Sequence, residues 1–258
     1  MDCAAAPDIA VVRNGVRDGL EGSALGLGVY CVCLGSAHAG DDEDRTAILF
    51  SGRDLWRNGA FAYGGILVAP SGFDADGVLF KLLISGGAYR YNSGFLGQQV
   101  IGAEWLGQAL VGWRAKRFGV ETKFFFGPDW ERHKLWPDDP GNRLRGIDFG
   151  LRMAAEFWTE PTADTMLTGE VSLSTVATNS TARLATGWRV LEDMFEDGVY
   201  VGPEVQYFGS DGYRHTRFGA HVTGLKTDTY EWSTAAGWAR DSDHQSSPYV
   251  RLNVMTRR

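Results

Sequence analysis

The chain has 258 residues, of which 44% are hydrophobic and 22% are charged, a balance that excludes a disordered chain and a helical membrane protein. Its net charge of −7 argues against a nucleic-acid partner, because no segment concentrates lysine and arginine enough to offset it. No run of about 18 apolar residues could form a membrane-spanning helix.

Residues 1–39 are predicted to be an export signal. A short apolar run, residues 25–35, precedes Ser36-Ala37-His38-Ala39, a small-x-small site typical of signal peptidase cleavage. Cleavage after Ala39 would leave residues 40–258 as a single barrel domain. Acidic residues dilute the basic flank, so translation could instead begin near Val12 or Val16, and a buried N-terminal helix is the alternative interpretation.

All three cysteines, Cys3, Cys31 and Cys33, precede the predicted cleavage site. The mature chain would therefore contain no cysteine, which excludes a disulfide framework and a cysteine-based metal site. A chain without cysteine is compatible with passage through an oxidising periplasm.

From Thr46 onward, apolar and polar residues alternate in runs separated by turns rich in glycine, aspartate, asparagine and proline. Successive side chains of a strand point to opposite faces, so this period of two predicts antiparallel strands. The predicted strands are Thr46–Arg53, Gly59–Ala69, Val78–Tyr91, Val100–Lys116, Val120–Phe126, Leu144–Trp158, Thr165–Val176, Thr181–Val190, Val199–Phe208, His215–Thr223, Tyr230–Ala239 and Val250–Met255.

One face of these strands is bulky and apolar, and the other is small or charged. In the tenth predicted strand, Phe218 and Val222 alternate with Arg217 and His221. This is the pattern of a barrel that faces lipid on the outside and water on the inside. The sequence therefore predicts an all-β fold, a single antiparallel up-and-down β-barrel of about 12 strands of the outer-membrane type, with ten strands as the alternative count.

The longest predicted connection is Gly127–Asn142, which contains Trp130 and Trp136 among charged residues. If the first strand begins in the periplasm, this fifth connection lies at the cell exterior. Exposed indole rings are costly to leave in water. The two tryptophans are therefore expected either to pack down over the barrel mouth or to stack on a sugar ring.

Charges of both signs fall on the polar face and are expected to pair across the lumen and rigidify it. The candidate binding residues in the lumen are Glu204, His215, Arg217, His221, Glu231 and Arg251. His215 and His221 are about 20 Å apart along an extended strand, so they cannot share a metal ion. No metal site, cofactor or catalytic residue is predicted, although Ser233 with a histidine and a glutamate across neighbouring strands is a conceivable hydrolase site.

Several segments resemble one family, the cellulose biosynthesis protein BcsS family. They are residues 223–226, 231–233, 237–243 and 249–252 near the C-terminus, and residues 138–146, 187–189 and 200–204 before them. The similarity covers about Ser51–Arg258. It implies an exported outer-membrane barrel of cellulose-making bacteria, without catalytic residues to carry over.

The resemblance implies a non-enzymatic accessory role in cellulose biosynthesis or export. The expected partners are outer-membrane lipid and, as candidates, a cellulose or other glucan chain or further components of the synthesis machinery. Two alternatives are an outer-membrane barrel enzyme that acts on lipid or polysaccharide and a soluble periplasmic barrel that binds a ligand.

Overall fold

The structure is a computed structural model that describes residues 45–191, 198–211 and 213–258. The predicted export signal, residues 1–39, lies outside the described residues. Within the described ranges, no helix is long and apolar enough to cross a membrane.

Antiparallel strands close into one barrel in which each strand pairs with its neighbours in sequence and the first pairs with the last. The strands are β1 (Ala47–Trp56), β2 (Gly59–Val68), β3 (Gly77–Ser93), β4 (Gln98–Arg117), β5 (Val120–Trp136), β6 (Gly146–Thr162), β7 (Thr165–Ser174), β8 (Ser180–Val190), β9 (Val199–Ser210), β10 (Tyr213–Thr227), β11 (Tyr230–Asp241) and β12 (Ser246–Arg257). The predicted 12-stranded antiparallel barrel is confirmed, and the alternative of ten strands is wrong.

The predicted faces of the strands are also confirmed. In β10, Phe218 faces outward and is 65% exposed, whereas the adjacent Arg217 faces inward and is 0% exposed. In β12, Val250 and Leu252 are exposed and Arg251 between them is buried. The period of two in the sequence thus places large apolar side chains outside and charged ones inside.

β5 extends to Trp136. The prediction of a connection at Gly127–Asn142 is therefore wrong for residues 127–136, which belong to the strand. Buried and exposed side chains alternate through Gly127 and Pro128 without a break. Proline lacks an N–H donor, but the pairing of β4 with β5 is itself interrupted beside Pro128, where a missing donor does little harm. Asp129, Glu131 and His133 therefore lie on the inner face of a strand and not in a loop, whereas Arg132 and Lys134 lie on its outer face.

The two ends of the barrel differ. The first residue of β1 and the last of β12 lie at one end, the terminal mouth, and the opposite end is the distal mouth. At the distal mouth, β1 ends at Trp56 and β2 begins at Gly59, which pairs with Tyr89 of β3. β3 continues to Ser93, and β12 begins at Ser246, beyond the end of β1. The β1–β2 turn is therefore lower than its neighbours, which leaves a notch in the wall.

An apolar cluster extends from the terminal mouth into the barrel interior. Its members include Ile48, Phe50, Leu67, Leu79, Leu83, Leu106, Leu110, Phe125 and Met255. Burial of each large apolar side chain contributes about 1.5–3 kcal/mol to stability. The expectation of a wet polar interior is wrong for this part of the barrel, where apolar side chains pack against one another.

Candidate functional site

Arg217 of β10 lies inside the barrel, toward the distal mouth, in an ion pair with Asp54 of β1. Its Nη1 donates to the two carboxylate oxygens at 3.0 and 2.8 Å. The guanidinium lies over the rings of Trp56, Phe208 and Tyr249, 4.8, 4.9 and 5.0 Å from their centroids. Neither charged group is exposed. A buried charge is very costly without a partner, so each of the two charges requires the other.

Glu204 of β9 connects a second buried group of charges to this pair. Its carboxylate accepts hydrogen bonds from Arg183 Nε at 2.9 Å, from Arg251 Nη2 at 2.6 Å and from the Tyr249 hydroxyl at 2.9 Å. Because the Tyr249 ring also contacts Arg217, the two groups are contiguous. The structure therefore brings together three of the predicted binding residues, Glu204, Arg217 and Arg251.

A third buried group lies on the opposite wall and was missed by the sequence analysis. Arg152 Nε donates to Asp129 Oδ2 at 2.9 Å, and the Ser174 hydroxyl donates to the same oxygen at 2.7 Å. Glu131 lies 3.5 Å from both His133 Nε2 and Arg152 Nη2. The signal was available, since Asp129, Glu131 and His133 occupy every second position, but the predicted loop concealed it.

The predicted pairing of opposite charges across the lumen is confirmed. Three ion pairs join strands that are three positions apart around the barrel: Asp54–Arg217, Glu204–Arg251 and Lys81–Glu156. All six side chains are almost fully buried. Because solvent hardly reaches these groups, they do not line an open channel.

Of the remaining three polar candidates, His221 and Glu231 have no hydrogen bond to this cluster among those seen in the described residues. His221 has Nε2 3.0 Å from the Thr186 carbonyl oxygen and Nδ1 2.9 Å from the Thr223 hydroxyl, so both ring nitrogens have partners. Glu231 lies opposite Lys226 beside the β10–β11 turn at the terminal mouth. The structure does not bring either residue to the distal mouth.

Trp130 and Trp136 lie on the outer face of β5. The sequence-based prediction that they lie in a connection between strands is wrong. The indole of Trp130 covers Gly107 of β4, where an added Cβ would overlap the ring nitrogen. Lys134 Nζ lies 4.7 Å from the centroid of the Trp136 ring. Outward-facing indoles are typical of the aromatic girdles of membrane barrels. Contact of these two residues with a sugar stays a prediction.

The notch above the β1–β2 turn contains a polar cavity of about 160 Å³. Its walls carry amide and phenol groups, from Asn58, Asn92, Gln99, Gln245, Tyr91 and Tyr213. Arg57, Arg90 and Asp243 add charges of both signs. Such a cavity offers many hydrogen-bond donors and acceptors within the space of one small ligand.

The backbone around this cavity is fixed by its own hydrogen bonds. The Arg90 N–H donates to the Asn58 carbonyl at 2.9 Å, and its Nη2 donates to the Arg57 carbonyl at 2.9 Å. On the other side, the Gln245 N–H donates to Asp241 Oδ1 at 2.8 Å within the β11–β12 turn. The cavity is therefore largely formed before any ligand enters, which lowers the entropic cost of binding.

A narrow chamber of about 10 Å³ lies below the cavity and reaches His215. Tyr213 and Gln245 line both spaces. His215 is 3% exposed, and its ring centroid lies 4.4, 5.7 and 5.8 Å from those of Phe208, Tyr213 and Trp56. Among the described residues, neither ring nitrogen of His215 has a hydrogen-bond partner. An unsatisfied buried polar ring is costly, so this histidine stands out from the other buried ones.

In the described part of the chain, no group of three or more His, Cys, Asp or Glu residues could hold a metal ion. A serine nucleophile needs a histidine within hydrogen-bond reach. None of the buried histidines in the described ranges, His133, His215 and His221, is hydrogen-bonded to a serine.

The family model described as cellulose biosynthesis protein BcsS matches residues 48–258. The chain belongs to the cellulose biosynthesis protein BcsS family. This confirms the resemblance found in the sequence, with nearly the same boundaries. A comparison with curated protein sequences gives no match.

Several solved structures are similar to this BcsS-family barrel at low sequence identity. An outer-membrane channel from Pseudomonas putida F1 has a TM-score of 0.51 and 10% identity, covering 86% of this chain and 100% of that chain. LpxR from Salmonella typhimurium has a TM-score of 0.48 and 9% identity, covering 82% and 99%. The toluene transporter TodX from Pseudomonas putida has a TM-score of 0.46 and 10% identity, covering 85% and 90%. The first of these supports the outer-membrane type of the fold and nothing finer.

Proposed function

We propose that this BcsS-family protein is a non-enzymatic accessory protein of cellulose biosynthesis that is embedded in the bacterial outer membrane. Family membership supports the association with cellulose. The outer surface of the closed barrel supports the position in a membrane, and it is the observation that carries the proposal.

That surface is a continuous band of exposed apolar side chains. Its largest members include Phe80, Ile84, Trp105, Trp113, Phe124, Phe126, Phe149, Leu151, Trp188, Phe218 and Trp238. Soluble monomers rarely expose contiguous apolar patches larger than a few hundred Å². A closed barrel also pairs each strand on both sides and has no free edge, as lipid requires. Outer-membrane lipid is therefore the first partner in this proposal.

The barrel interior supports an accessory role over that of a glucan conduit. A conduit needs an open polar passage, whereas Asp54, Arg217 and Glu204 are buried in mutual contacts inside this barrel. An enzymatic role would need a nucleophile beside a histidine base, and none of the buried histidines of the described residues is hydrogen-bonded to a serine. We place the function at the surfaces of the barrel and not in its lumen.

Deletion of the gene in a cellulose-producing host tests the proposal. Cellulose output is expected to fall and to return when the wild-type gene is restored. Purified protein in lipid vesicles is expected to show no ion conductance above that of empty vesicles and no release of sugar or fatty acid from cellulose or lipid. Unchanged cellulose output after deletion would refute the link to cellulose, and turnover of either substrate would refute the non-enzymatic role.

A further inference from the structure

We propose that the cavity at the distal mouth binds the end of a neutral glucan chain, one sugar ring deep. The choice of glucan rests on the proposed function, whereas the existence of a sugar site rests on the cavity itself. With both termini in the periplasm, the usual arrangement for an even-stranded barrel, the distal mouth faces the cell exterior.

The size of the cavity sets the depth of binding. At about 160 Å³ the cavity has room for one ring-sized ligand and not for two linked sugar rings. The chamber beneath it, about 10 Å³, is too small for another ring and has the volume needed by about one water molecule. A glucan would therefore insert its terminal residue, and the rest of the chain would extend away from the barrel.

The chemistry of the walls fits a neutral polyhydroxylated ring. Asn58, Asn92, Gln99 and Gln245 each present a donor and an acceptor, which is what a sugar hydroxyl needs. The lining charges are of both signs, Arg57 and Arg90 against Asp243, and six of the nine lining residues are uncharged. One N–H of Arg90 is already donated to the Arg57 carbonyl of the β1–β2 turn.

Two further groups point to a ligand in this place. Tyr213 is only 4% exposed, but it borders both the cavity and the chamber beneath it and brings a phenol to their walls. His215 lies directly below, buried and without a hydrogen-bond partner among the described residues. A ligand hydroxyl, directly or through one water in the chamber, would satisfy its ring nitrogen.

The neighbouring glutamines of β4 provide a matched pair for the test. Gln99 lines the cavity, whereas Gln98 is exposed beside it and does not. Asn92 and Gln99 face each other on β3 and β4 and are both exposed, so replacing them should not disturb folding. Calorimetry with folded protein in detergent would measure the binding of cellobiose, cellotetraose, maltotetraose and a galacturonate tetramer to the wild type and the variants.

Wild type is expected to bind cellobiose and cellotetraose with affinities within a few-fold of each other, because only one ring enters the cavity. It is expected to bind both of them more tightly than the galacturonate tetramer. Asn92→Ala with Gln99→Ala should weaken binding about 25-fold, since each lost hydrogen bond is worth about fivefold, while Gln98→Ala should match wild type. Absence of cellotetraose binding, or equal binding by the double variant, would overturn the site. Stronger binding of the galacturonate would overturn its neutral character. Maltotetraose presents the same terminal glucose ring and is expected to bind as well as cellotetraose, so a large difference between the two would overturn binding of the terminal ring alone.

These outcomes are independent of the proposed function. Binding is measured on the purified barrel, so the site can fail while deletion of the gene still lowers cellulose output. The reverse result, binding without any effect of deletion on cellulose, would leave the sugar site in place and remove the accessory role.

Discussion

Phe218→Arg should prevent stable insertion of this barrel into lipid. The Phe218 side chain is 65% exposed on the outer face of β10, between Val205 of β9 and Trp238 of β11. An arginine on the lipid face near the bilayer midplane costs about 2–4 kcal/mol. That cost corresponds to a folding equilibrium constant lower by about 30- to 900-fold.

Urea titration of the protein folded in lipid vesicles would measure this loss of stability. The matched control is Phe118→Arg, because Phe118 is fully exposed in the β4–β5 turn, outside the apolar band. The control should unfold at nearly the same urea concentration as wild type. If both variants lose the same stability, or if Phe218→Arg loses none, the outer face of β10 does not lie in lipid.

Three further variants test the interior. Asp54→Asn should lower the free energy of unfolding by about 3–5 kcal/mol, because it removes the carboxylate that is paired with the buried Arg217. Asp54→Leu with Arg217→Met should recover most of that loss in a urea titration, and equal losses would contradict the ion-pair explanation. Gly202→Ala should destabilise the barrel by about 1–3 kcal/mol, because the added Cβ would overlap the Thr186 carbonyl oxygen; wild-type stability would show that this contact relaxes freely. His221→Gln should restore cellulose output to a deletion strain as well as wild type, and a folded but inactive variant would favour a catalytic base.

The alternation of the sequence was sufficient to predict the barrel and the face of most side chains. It succeeded in β10, where Phe218 and Arg217 point as expected, because lipid and a charged interior impose opposite demands on neighbouring residues. It failed after Phe126, where Gly127 and Pro128 resemble a turn. A break in strand pairing accommodates the proline there, and a pairing break leaves no mark in a single sequence.

The partners of the buried charges could not be predicted in the same way. Glu204 and Arg251 lie on strands three positions apart, so their contact depends on the register of every strand between them. The distal cavity has a similar origin, because it follows from the early turn between β1 and β2, after Trp56, beside a longer β3. The sequence correctly predicted that His215 lies inside the barrel. It wrongly predicted that Trp130 and Trp136 lie at the barrel mouth, because large aromatic residues occur both in mouths and on outer surfaces, where these two lie.

Cell fractionation followed by gel electrophoresis with and without boiling tests the membrane barrel most directly. We expect the protein in the outer-membrane fraction, with an unboiled band that migrates faster than the boiled one, because a closed 12-stranded barrel stays folded in cold detergent. Recovery of the protein from the soluble periplasm, with the same mobility before and after boiling, would contradict an outer-membrane barrel.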